Sequence, residues 1–108
     1  MAAMNDLTTH FVSEVDERAI KLERRKAREL RQTQWWKREL AKGRCYYCRR
    51  SFSPADLTMD HIVPLVRGGK TRKGNVVTAC RVCNYKKKYL LPVEWVQYLK
   101  TLSDNDDR

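Results

Sequence analysis

Four cysteines stand in two matched pairs, Cys45 with Cys48 in "CYYC" and Cys80 with Cys83 in "CRVC". C-x-x-C spacing lets two thiolates point at one tetrahedral ion from a tight knuckle, and two knuckles close a four-thiolate site with no open position. A structural zinc ion at Cys45, Cys48, Cys80 and Cys83 is therefore expected, stapling the fold and taking no part in catalysis. The rivals are disulfides, which suit a secreted chain, and a redox C-x-x-C, which needs one pair in a βαβ setting. The insert 49–79 between the pairs is longer than in an ordinary zinc ribbon. It contains "LTMDHIVPLVRGG", Leu57 to Gly69, in which Asp60 lies beside His61. A carboxylate is a hard oxygen ligand, and an imidazole takes up a proton near neutral pH. An acid and an imidazole at a strand end are also compatible with a simple hydrogen-bonded turn.

The elements that must position these groups follow from the residue pattern. "ADLTMDHIV" alternates and carries β-branched residues, so it reads as a strand ended by Pro64. "VRGGKTRKGN" reads as a loop rich in glycine and positive charge, and "VVTA" as a second short strand. After the second knuckle, "CRVCNYKKKYL" can form a short helix. Pro92 opens a final amphipathic helix, "PVEWVQYLKTL", in which Trp95, Val96 and Leu99 are expected to pack.

Upstream, Val12 to about Leu40 reads as one long helix without Gly or Pro. Val12, Val15, Ala19 and Leu22 form its narrow apolar stripe, which fades into charge after Leu22. A helix this polar is exposed or lies along a partner. Gly43 is its expected stop. Trp36 and Leu40 are the expected packing pair, which leaves Trp35 to pack on the zinc lobe or meet a partner.

The chain has 108 residues, enough for one ordinary compact domain. Its net charge is +10, from 23 basic against 13 acidic residues. Such a chain attracts polyanions, nucleic acid first and anionic membrane surfaces next. No apolar run approaches the roughly 20 residues that span a bilayer. No basic-then-apolar leader is read in "MAAMNDLTTHFVSEVDE", so the expected home is a reducing cytoplasm. His10 has nothing near it at metal spacing and is given no role.

In order, the chain shows a knuckle, a strand with Asp60-His61, a basic loop, Asn75, a strand, a knuckle, Asn84 and a helix. This order resembles the HNH endonucleases of the ββα-metal fold. The resemblance is carried by "CYYC", "DHIVPLVRGG", "GNVV", "CRVCN" and "KKK", over about Arg44 to Lys88. "KYLLPVEWVQYL" is also similar to the C-terminal extension of small bacterial members. The resemblance implies an α+β fold: a small ββα-metal core with a four-cysteine zinc knuckle site, a long basic N-terminal helix before it and a short C-terminal helix after it. The expected divisions are a charged helical extension at 1–42, a nuclease domain at 43–102 and an acidic disordered tail at 103–108.

By the same resemblance, His61 is the general base. Asp60 and Asn84 hold a divalent ion, Mg²⁺ or Mn²⁺, and Asn75 is the middle residue that positions the base through hydrogen bonds in the loop. The family places His or Asn where this chain has Asn84. Asn75 after Gly74 can also be a plain turn residue, and Asn84 a plain helix cap. One geometric condition applies. Adjacent residues on a strand point to opposite faces, so Asp60 and His61 share a site only if the groove reaches both sides of the strand's end.

Arg67, Lys70, Arg72 and Lys73 in the loop, and Lys86, Lys87 and Lys88 on the following helix, are expected to flank the cleft and contact phosphates. Such contacts position a duplex without reading its sequence. The partner implied is DNA, with RNA as an alternative, and the basic N-terminal helix can extend that contact or dock a protein. The activity implied is metal-dependent hydrolysis of DNA phosphodiester bonds, by nicking or double-strand cleavage. The alternatives are a non-catalytic nucleic-acid-binding zinc module and a protein-docking adaptor.

Overall fold

A long run of helix formers opens the chain as α1, Ala2–Arg31. The computed structural model describes the backbone of residues 2–106 and the side chains of residues 17–103. The single helix expected to reach Leu40 is broken at Gln32 and Thr33, and α2 runs separately over Gln34–Ala41. Thr33 causes the break. Its backbone is extended, its hydroxyl accepts from the Trp36 amide at 3.2 Å, and the same hydroxyl donates to the Leu30 carbonyl at 2.7 Å. One side chain thus satisfies the end of α1 and the start of α2. The turn lets Trp36 enter the interior, where it is 2% exposed. Gly43, at φ +64°, follows the end of α2 as expected, and its amide returns to the Leu40 carbonyl.

The inward face of α1 also differs from the expected stripe. Leu22 is exposed, while Glu23 and Ala27 are buried and Ala19 and Leu30 half-buried. The side chains of Val12 and Val15 lie outside the described residues. The face rotates because α1 lies across the loop after the first strand, and a backbone amide of that loop binds the Glu23 carboxylate.

The first knuckle is a tight turn closed by the Arg44–Ser51 bridge. Strand β1, Leu57–His61, pairs antiparallel with β2, Val76–Cys80, in a register that sets Leu57 opposite Cys80 and His61 opposite Val76. Helix α3, Arg81–Lys87, starts directly from β2. The core is small: Cys45, Leu57, Ala79, Cys80 and Cys83 cluster, with Leu40, Tyr47 and Phe52 packed against them.

Helix α4, Pro92–Asp106, docks on this core through Trp95. The Trp95 ring meets Tyr47 edge-on at 5.6 Å and stacks on Tyr98 at 5.6 Å. Val96 and Leu99, expected to pack, are exposed instead, because α4 presents only its Trp95 edge to the knuckle. Of the acidic tail, residues 107 and 108 lie outside the described residues. Among the described residues, no helix is long and apolar enough to cross a membrane.

Candidate active site and metal centre

The metal centre is built by turns. Cys45 and Cys48 sit in the first knuckle, where the Arg49 amide returns to the Cys45 carbonyl at 2.9 Å. Cys80 ends β2 and Cys83 lies in the first turn of α3, with the Cys83 amide 3.4 Å from the Cys80 Sγ. The four sulfurs lie within 4.8 Å of one another, and Cys48 and Cys80 approach to 4.0 Å. Tetrahedral zinc with Zn–S bonds near 2.3 Å sets its sulfurs roughly 3.8 Å apart, so the donors and spacing fit such an ion. All four cysteines are free of disulfides. Burial raises the Cys45 thiol, but amides at Cys48, Cys80 and Tyr47 outweigh it and bring the group down to about 7. Burial pushes the Cys48 and Cys83 thiols up, so Cys45 is the thiol that most readily becomes a thiolate. The four cysteines are thus positioned to bind a metal ion.

A separate cleft of about 270 Å³ opens at the end of β1. Asp60, His61 and Asn84 all line it, together with Arg24, Lys88 and Tyr89. The strand-alternation condition is met because His61 is the last residue of β1 and the cleft wraps the strand's end. On one face, Thr58 and Asp60 meet α3 and the first knuckle. On the other, Met59 and His61 turn toward α1, with Arg31 Nη1 at 4.0 Å from Met59 Sδ.

Asp60 is buried and anchored through one oxygen. The Tyr47 hydroxyl donates to its Oδ2, and Lys87 Nζ lies 3.1 Å from the same atom. Burial and the bond to Asp60 push the Tyr47 phenol well above its ordinary range, so it stays a donor. Among the described residues no hydrogen bond reaches Asp60 Oδ1. Asn84 is oriented by Thr58. The Thr58 hydroxyl donates its one proton to the Ala79 carbonyl at 3.2 Å, so it can only accept from Asn84 Nδ2 at 3.0 Å. Asn84 Oδ1 is thereby turned away from Thr58. Two hard oxygen donors, Asp60 Oδ1 and Asn84 Oδ1, remain on residues of one cleft, a set that fits a hydrated divalent ion.

His61 is half-buried, with Nε2 at 3.0 Å from Thr71 Oγ1. Burial lowers its imidazole below the usual 6.5, against an opposing pull from Asp60, which leaves the ring neutral and able to accept a proton at neutral pH. Among the described residues, Asn75 makes no hydrogen bond to the ring. Its Oδ1 accepts from the Val63 amide at 2.9 Å, and its Nδ2 donates to the carbonyls of Val63 at 3.1 Å and Lys70 at 2.8 Å. With the Ile62 amide on its own carbonyl, it ties both ends of the loop that follows His61. Gly69 belongs to the same closure: a Cβ there would lie 1.7 Å from the Val63 carbonyl oxygen.

The basic residues divide. Lys70, Arg72, Lys73, Lys86 and Lys88 are exposed, with Lys73 over the Trp35 ring at 5.4 Å. Arg67 is held by Glu94 of α4 at 3.0 Å. Lys87 departs from the expected phosphate contact. It is fully buried, with Nζ shared between Asp60 Oδ2 and the His61 carbonyl at 3.0 Å, because α3 turns this position inward. Sequence reading missed five residues: Tyr47, which holds Asp60; Thr58, which orients Asn84; Thr71, which meets His61; Glu23, which holds Thr71; and Arg24, which lines the cleft. Glu23 alone carried a sequence signal, an acid at helical spacing to Ala19 and Ala27.

A protein-family model described as HNH endonuclease matches residues 45–98, half of the chain. A search of curated proteins finds no significant match.

Proposed function

The chain belongs to the HNH endonuclease family, and on that premise we propose that it is a metal-dependent endonuclease hydrolysing DNA phosphodiester bonds, with residues 43–102 as its nuclease domain. The observation that carries this reading is the convergence of Asp60, His61 and Asn84 on one cleft. A binding module has no need of a neutral imidazole beside two free oxygen donors.

In this reading His61 accepts a proton from the attacking water. General-base catalysis of this kind is worth about 10²–10⁴ in rate. Asp60 and Asn84 hold one divalent ion, Mg²⁺ or Mn²⁺. When bound, that ion neutralises charge developing on the phosphate and stabilises the departing 3′-oxygen. Asn75 keeps the loop after His61 closed, so that the imidazole stays aimed at the cleft. Lys70, Arg72, Lys73, Lys86 and Lys88 contact backbone phosphates and position the duplex without reading its sequence. The four cysteines carry structural zinc and hold β1, β2 and α3 in register.

Incubating supercoiled plasmid with Mg²⁺ or Mn²⁺ tests the reading. Wild-type protein is expected to nick, and His61→Ala to lose about 10²–10⁴ of the rate while still binding DNA. Salt-sensitive binding without cleavage by the wild type, in either ion, would instead identify a non-catalytic zinc module.

A further inference from the structure

Thr71 lies between the candidate base and the N-terminal helix. Its hydroxyl is 3.0 Å from His61 Nε2 and donates to the Glu23 backbone carbonyl at 2.8 Å. Its amide donates to Glu23 Oε1 at 2.5 Å. A threonine hydroxyl has one proton to give. That proton is committed to a carbonyl, which can only accept. The oxygen facing His61 must therefore accept, and Nε2 must carry the ring's hydrogen. A neutral imidazole has one N–H, so the lone pair falls on Nδ1.

Glu23 is well built for this task. It is 3% exposed, it holds Thr71 at two points, and its second carboxylate oxygen is paired with Lys26 at 3.3 Å. Buried glutamates are rare unless paired, and this one pairs one oxygen with Lys26 and gives the other to a single loop residue. The next residue, Arg24, lines the cleft itself. Both residues lie outside the segment 45–98 that matches the family.

Resting on the nuclease reading above, we infer that α1 is a working part of the active site: Glu23 and Thr71 are positioning residues that fix the tautomer and aim of His61. The helix does not merely extend the surface. Its docking on the loop after β1 decides which ring nitrogen is free to take a proton.

The test compares full-length wild type with Thr71→Val, Thr71→Ser and Glu23→Ala, with zinc content and melting temperature checking that each folds. Outer residues that orient a site's working groups typically carry 10–100-fold. Thr71→Val is therefore expected to lower kcat for plasmid nicking by about 10–100-fold, with KM and DNA affinity within about twofold of wild type. Thr71→Ser keeps the hydroxyl and should restore most of kcat. Glu23→Ala keeps the backbone carbonyl that accepts from the Thr71 hydroxyl and removes the carboxylate that holds the Thr71 amide. Its kcat should therefore fall in the same direction but by less, and the change should add little to Thr71→Val.

A second readout does not depend on cleavage. Nitrogen NMR of the ring, assigned easily because His10 is the chain's other histidine, should show His61 protonated at Nε2 in wild type and shifted toward a tautomer mixture in Thr71→Val. Wild-type kcat in Thr71→Val, or an Nδ1–H ring in wild type, would overturn the inference. If wild type cleaves nothing in any divalent ion, the nuclease reading fails. The ring-nitrogen measurement then still decides whether α1 positions His61.

Discussion

Lys87 Nζ lies 3.1 Å from Asp60 Oδ2 and 3.0 Å from the His61 carbonyl, so one buried cation from α3 clamps two successive residues of β1. The clamp uses the carboxylate oxygen already bonded to Tyr47 and leaves Oδ1 to the cleft. Removing one partner of a buried pair strands the other charge, which typically costs about 3–5 kcal/mol. Lys87→Met is therefore expected to lower the melting temperature by at least about 10 °C, at roughly 4 °C or more per kcal/mol for a domain of this size. Lys86→Ala and Lys88→Ala, at exposed positions, should leave it nearly unchanged. Thermal denaturation followed by circular dichroism checks this, and equal melting of all three variants would show that the clamp contributes nothing.

The loop after His61 is closed by Asn75 through three side-chain hydrogen bonds and by Gly69 through close backbone approach. Net hydrogen-bond contributions of about 0.5–1.5 kcal/mol each put the cost of Asn75→Ala near 2–4 kcal/mol. Gly69→Ala forces the Val63 peptide to move. Both substitutions should lower kcat for nicking more than they weaken DNA binding, because they disturb the aim of His61 and no phosphate contact. Variants that lose affinity and retain kcat would assign this loop to binding.

Chelation addresses the sulfur site. With a core this small, an ion joining the knuckles would carry much of the fold's stability, because binding energy in such sites is folding energy. Purified protein should carry about one zinc per chain. Stripping it should abolish the cooperative melting transition, and Cys83→Ser should do the same. A chain that melts identically with and without metal would contradict the assignment.

Glu23 gives a pH signature. The Thr71 amide, ahead of the opposing cost of burial and with help from Lys26, holds its carboxyl below the usual value of 4.5. A carboxyl with a lowered folded-state value binds protons more readily when unfolded. Its contribution to stability is complete above about 4.5 and is lost as pH falls through the lower folded value. The gap in melting temperature between wild type and Glu23→Gln should therefore be constant from pH 7 to about 5 and shrink below 4.5. A gap that widens on acidification would mean that α1 is not held on the loop by this carboxylate.

Much of the core was legible because its signals are local. Two C-x-x-C pairs, a β-branched run ended by Pro64 and a proline opening α4 each state their element within a few residues. That Asp60, His61 and Asn84 line one cleft agrees with the grouping implied by their order and its resemblance to the HNH endonucleases. What could not be read depends on where distant segments meet. Thr33 breaks the first helix because its hydroxyl serves two helix ends, and no breaker residue marks the spot. Glu23 sits in a charged run whose inward face is set by an amide 48 positions away. Lys87 is one of three consecutive lysines, and only the phase of α3 against β1 selects it for burial. Val96 and Leu99 carry the apolar spacing of a packed face, but α4 rests on the knuckle through Trp95 alone and leaves them in solvent.

The most direct test of the central claim is diffraction from crystals soaked in Mn²⁺, with anomalous scattering locating the ion. One manganese peak is expected in the cleft at the end of β1, ligated by Asp60 and Asn84, with the His61 ring facing it and the four-cysteine site retaining its own metal. A peak elsewhere, with Asp60 and Asn84 turned apart or His61 pointing away from the cleft, would contradict it.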